Sequence, residues 1–200
     1  MARFRDTIED QFKEIILRHK GLNQTVRLWV QDEARVGLMP IHGRRITDKG
    51  RRALISSEIR REYEYLYGLI EPLTGTGFML ELPHLDADLM EVFLGEFVKQ
   101  DPESLHLILL DNASAHRTEK LQVADNIVFL FFPPNAPELN PMERFWKEFK
   151  DWLSDYEPPS MTEVSQLVSE GLKSFSAKAI SSITSFEYLM TAWTKAIAQY

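Results

Sequence analysis

Residues 105–146 read LHLILLDNASAHRTEKLQVADNIVFLFFPPNAPELNPMERFW, and this stretch decides the fold. Its two nearly continuous apolar runs, Leu105–Leu110 and Ile127–Phe132, have the pattern of central strands covered on both faces. A short helix is expected between them. The first run ends in Asp111-Asn112-Ala113-Ser114-Ala115-His116. The second ends in Pro133-Pro134 and is followed by Asn140-Pro141-Met142-Glu143-Arg144-Phe145-Trp146. Asn140 can cap a helix, Pro141 suits its first position, and Phe145, Phe149, Trp152 and Leu153 supply its apolar stripe. Two carboxylates, Asp111 and Glu143, therefore stand at the ends of adjacent elements.

Working outward, Val26–Gln31 is an earlier apolar run that closes on Asp32. Val26, Leu28, Val30 and Asp32 share one strand face, so Asp32 points the same way as the apolar residues before it. The spacing predicts an amphipathic helix over Ile8–His19, a loop or irregular hairpin over Gly37–Gly50, and strands at Tyr63–Ile70 and Phe78–Leu82. Thr74-Gly75-Thr76-Gly77 is a turn signal, since neither a helix pattern nor a lysine follows to make it a phosphate-binding loop. A helix over Asp86–Lys99 has Asp86 as its N-cap, Ser160-Met161-Thr162-Glu163 has capping-box spacing, and Phe186–Ala198 suggests a last helix. The order is a three-strand meander, then helix, strand, helix, strand and terminal helices. That order describes an α/β fold with a mixed sheet and helices on both faces.

The 200 residues, 44% of them apolar, support one sizeable core and read as one domain. With no cysteine, disulfides, thiolate zinc sites and cysteine nucleophiles are excluded. The longest apolar run is too short to span a membrane and the start lacks an apolar signal core, so a soluble cytoplasmic protein is expected. The net charge of -7 opposes nucleic-acid binding by the chain as a whole. Between Arg44 and Arg61, however, seven basic residues face two acidic ones. Arg44, Arg45, Lys49, Arg51 and Arg52 could follow a phosphate backbone, or form an ordinary solvated loop.

Three carboxylates presented by strand ends and a helix start can hold divalent cations against a phosphodiester. Each has a plainer explanation. Asp111 follows Leu105, Leu107 and Leu109 in strand parity and emerges where open α/β sheets place their ligands, but Asp-Asn is also a turn pair. Asp32 could be a turn residue, with Glu33 the ligand instead. Glu143 stands three residues after Asn140, where a capping-box glutamate reaches back to the cap's amide. His116 could serve near a phosphate as donor or proton shuttle, supporting the acids rather than replacing them.

Together, the words around Asp32, Asp111 and Glu143 resemble the catalytic domain of DDE transposases, in the bacterial insertion-sequence branch of the mariner superfamily. The resemblance runs from about Val26 to Trp152. It implies a ribonuclease H-like five-stranded mixed sheet, with Asp32, Asp111 and Glu143 as catalytic residues converging on a site for two magnesium ions, manganese substituting. Asn112 and His116 would support that site. The division implied is an N-terminal helix or linker over 1–25, the catalytic core over 26–156 and C-terminal helices packed on it over 157–200. The implied partners are transposon-end and target DNA and a second copy of the chain. The 25 or so residues before the first strand are too few for the family's helix-turn-helix module, so the chain could be the downstream product of a split gene, a truncated element or a remnant, with a separate subunit or a fused domain supplying that module. The competing expectations are a nuclease of the same fold without strand transfer, and a catalytically silent DNA-binding or assembly protein.

Overall fold

The computed structural model describes residues 2–19, 24–39, 48–50, 60–111 and 121–198. In chain order its elements are α1 (Ala2–His19), β1 (Val26–Gly37), β2 (Tyr63–Glu71), β3 (Thr76–Leu82), α2 (Ala87–Val98), β4 (Leu105–Leu110) and β5 (Ile127–Phe131). A 3-10 turn (Pro137–Leu139) then leads into α3 (Pro141–Leu153), α4 (Met161–Ser174), α5 (Ala177–Thr184) and α6 (Glu187–Ile197). The sheet order is β3-β2-β1-β4-β5. β1, β2 and β3 pair antiparallel, while β4 runs parallel to both β1 and β5.

Strand parity divides the apolar residues between two faces. Leu28, Val30, Leu66, Ile70, Leu107 and Leu109 join the cluster that contains Ile8 and Phe12 of α1, Phe145, Trp146 and Phe149 of α3, and residues of α4, α5 and α6. Trp29, Tyr67, Leu69, Ile108 and Leu110 pack on the other face against Met90, Phe93, Leu94 and Phe97 of α2. Every residue of β4 is buried. Its apolar run, interrupted only by His106, thus reflects cover on both sides, and each large apolar side chain so buried contributes about 1.5–3 kcal/mol.

At the end of the sheet where the parallel strands begin, Arg27 is gripped by Glu71 through two hydrogen bonds and by Asp101 through one. Trp29 donates its indole N–H to Nδ1 of His106, which leaves the His106 Nε2 proton to donate to the Asp101 carbonyl at 2.8 Å. These buried polar groups are satisfied among themselves, so this end is closed off.

Several boundaries differ from the sequence expectation. α1 starts at Ala2 rather than Ile8, and Phe4 extends its buried stripe. β1 does not stop at Asp32 but continues to Gly37, because β2 pairs with it as far as Gly37 after β4 has ended. Asp32 is therefore a mid-strand residue. α5 was not expected; it is short, capped by Ser176, and backs onto the turn at Gly75, whose φ of 73° suits glycine. A Cβ at Gly75 would lie 1.8 Å from the Ala177 carbonyl oxygen. The expected helix after Asp111, and most of the expected loop over Gly37–Gly50, lie outside the described residues.

Candidate active site

The β1–β4 register pairs Val26 with Leu105 and Val30 with Leu109. Asp32 follows the last paired residue of β1 by two, and Asp111 follows that of β4 by two, just past the strand's end, so both stand at the same end of the parallel pair. Both share the face that carries Leu28, Val30, Leu107 and Leu109, the face onto which α3 packs. Glu143 lies in the first turn of α3. All three acids line one cavity of about 320 Å³, together with Phe132, Asn140 and the β5 exit Pro133-Pro134-Asn135-Ala136-Pro137. Asn135 in that wall has φ 57°, a left-handed conformation that asparagine tolerates better than most residues.

Two contacts bring α3 to this position. Asn140 caps the helix by accepting the Met142 amide at 3.0 Å, and the same side chain donates to the Gln31 carbonyl at 3.0 Å. One buried amide thus ties the start of α3 to the residue beside Asp32. Asp32 also pairs across the sheet with Gly68. A Cβ at Gly68 would fall 2.7 Å from Met142 Cε and Met79 Sδ and 2.8 Å from Trp146 Cζ2, so only glycine lets the helix come this close. Sequence spacing identified Asn140 as a cap but not as a bridge to β1, and Gly68 carried no signal of its own.

The competing roles of the acids separate here. The Asn140 amide donates to the Pro137 carbonyl at 2.9 Å, so the reciprocal capping-box bond from Glu143 is not formed and its exposed carboxylate faces the cavity. Glu33 points to the opposite sheet face by parity, and its carboxylate accepts the Gln31 side-chain amide at 3.0 Å. It does not line the cavity. Asn112 and His116 lie outside the described residues, as do Arg44, Arg45, Arg51 and Arg52; Lys49 is described and exposed.

Half-buried Asp32 has its pKa pushed up to about 8, first by burial, then by the charges of Glu143 and Glu33, with Asp111 adding to them. None of the described residues lining the cavity is basic. Among the described residues, no three His, Asp or Glu side chains come together closely enough to hold a metal ion as they stand. The expected convergence is thus one of cavity rather than of a formed ligand cage.

A DDE superfamily endonuclease family model matches residues 27–165, a span that contains all three acids. The chain belongs to that family. Its fold is that of the Mos1 mariner transposase catalytic domain, matched over the whole chain and 94% of that domain with a TM-score of 0.59 and 14% identity. The Mos1 transposase in its paired-end complex with the left transposon end matches with a TM-score of 0.64 and 16% identity. That match covers the whole chain but 62% of the Mos1 transposase, so the chain spans less than two thirds of that protein. Mos1 paired-end complexes are also known with Mn and with Mg. An uncharacterized protein of Sinorhizobium fredii, y4pE/y4sA, is 41% identical over 95 residues, covering 46% of this chain and 70% of that protein. No described helix is long and apolar enough to cross a membrane.

Proposed function

We propose that this chain is a transposase catalytic domain that hydrolyses DNA at an element's ends and joins the freed 3' end to target DNA. The observation that carries the reading is the arrival of Asp32, Asp111 and Glu143 in one cavity from two parallel strands and a helix start. The family supports an endonuclease, and the Mos1 complexes support transposon-end DNA as substrate.

The donor set fits divalent metal. Carboxylate oxygens suit magnesium and manganese, and the described lining offers negative charge with no basic side chain to neutralise it. Asp32, Asp111 and Glu143 are the residues that would hold the ions. When bound, two such cations sharpen an attacking oxygen and stabilise the departing one in an in-line displacement. Asp32 must lose its proton to serve, and cation binding would favour that loss. Asn140 ties the start of α3 to β1 and Gly68 on β2 leaves room for the helix, while the proline-rich exit of β5 walls the cavity. Asn112 and His116 would support the site, and Arg44, Arg45, Lys49, Arg51 and Arg52 would neutralise phosphates beside it. Base-edge reading of the element's ends would come from a helix-turn-helix module, and the active complex would hold two copies. Such work places the protein with DNA, in the cytoplasm.

The test pairs terminal-repeat duplexes with target DNA in Mg²⁺ or Mn²⁺, with the DNA-reading partner supplied. Wild type should yield cleaved ends and joined products, and Asp32→Asn, Asp111→Asn and Glu143→Gln should each abolish both. Cleavage without joining would establish the nuclease instead. Wild-type DNA binding with neither product would establish the silent protein.

A further inference from the structure

We propose that Tyr188, on the last helix, is a positioning residue for Glu143; this rests on the acidic trio being the metal site. The Tyr188 phenol donates to the Leu139 carbonyl at 2.6 Å. Leu139 is fully buried and ends the 3-10 turn that leads into the Asn140 cap. Its carbonyl precedes the cap and so takes no part in the bonds of α3, which makes the phenol its partner from outside the helix.

The first turn of α3 is a wall between two spaces. Glu143 faces the cavity of the acids, and Arg144, the next residue, faces a groove lined also by Arg5, Tyr188 and Lys195. From the cavity side Asn140 ties this turn to β1, and Gly68 on β2 leaves room for it. Met142, Phe145 and Trp146 bury the sheet-facing side of the same helix. Tyr188 supplies the third point, from the groove side, and with it the carboxylate of Glu143 has a defined height above Asp32.

Tyr188 is itself held firmly. Its ring meets Phe4 edge-on at 6.5 Å and Phe186 at 6.3 Å, and the Arg5 guanidinium lies 5.1 Å from the ring centroid. Burial raises the phenol's pKa, so the donor keeps its proton throughout the working pH range. Phe4 and Arg5 belong to α1, and both α1 and α6 lie outside residues 27–165 that the family model matches. The terminal helices thus reach the site by the Tyr188 hydrogen bond to Leu139 and by the packing of Phe4 on Phe132, a residue of the cavity wall.

Tyr188→Phe keeps the ring and removes the donor. The matched control is Tyr67→Phe, since Tyr67 also donates its phenol to a backbone carbonyl, that of His84 at 2.8 Å, on the opposite face of the sheet. Mn²⁺ uptake by the full chain is followed by water-proton relaxation, beside denaturant midpoints. Both variants should lose stability, and Tyr188→Phe alone should weaken Mn²⁺ binding on the order of tenfold, the lower range for outer-shell partners of a metal site. Equal affinities in Tyr188→Phe and wild type, or equal weakening in both variants, would overturn the positioning role and leave the metal site standing. Absence of saturable Mn²⁺ uptake in wild type would remove the metal site and this role with it.

Discussion

Replacing Asp32 with asparagine should make the metal-free protein more stable above neutral pH. In the folded chain the Asp32 carboxyl has a pKa of about 8 against an ordinary value of 3.8. A group whose folded pKa is raised contributes stability that is fully present below the unfolded value and lost as pH rises through the folded one. Between these limits the folded state holds a proton that the unfolded state has released. The full shift at about 1.4 kcal/mol per unit sets an upper bound of about 6 kcal/mol. The cavity is open to water and Glu143 and Asp111 are exposed, so screening should reduce the effect to about 2–3 kcal/mol. Urea unfolding in EDTA at pH 5, 6.5 and 8 reads it out. The wild type should weaken relative to Asp32→Asn as pH rises, with the difference levelling above pH 8. Any constant effect of the amide cancels between pH values. Wild type and variant changing in parallel over this range would refute the charge-repulsion reasoning.

Mn²⁺ should raise the melting temperature of the wild type more at pH 8 than at pH 6, because the cation competes with the Asp32 proton; equal shifts at both would contradict that competition. Gly68→Ala places a Cβ 2.8 Å from Cζ2 of the buried Trp146 ring and should cost about 1–3 kcal/mol in denaturant unfolding while reducing cleavage, since α3 must shift away from β2. Asn140→Ala removes both the cap and the donor to the Gln31 carbonyl, and should cost about 2–3 kcal/mol by the same measurement. Asn140→Asp, which keeps the cap acceptor and loses the donor, should fall between; a loss as large as that of alanine would show that the bridge to β1 carries the whole effect.

Local chemistry made much of this protein legible from its sequence. The nearly continuous apolar run Leu105–Leu110 announces a central strand covered on both faces, which β4 is, whereas the like run Ile127–Phe132 forms the edge strand β5 and is only half-buried, because edge or centre is settled by which strands pair. Asn140-Pro141 announces the start of α3 because a cap acceptor followed by a residue lacking an N–H suits a helix N-terminus. Strand parity alone distinguished the direction of Asp32 from that of Glu33, and it set Asp111 on the same face as its apolar neighbours. Other features depended on partners distant in the chain. β1 outlasts Asp32 because β2 continues the ladder, and a ladder's length is a property of two strands. Whether Glu143 capped its own helix or faced a cavity turned on the Pro137 carbonyl taking the Asn140 amide first. The closeness of α3 to Asp32 required Gly68 on β2, and the pinning of Leu139 required Tyr188, 49 positions away. Hydrogen bonds and close packing act through space over a few ångströms, so residues that meet there leave no periodic mark on the sequence that brings them together.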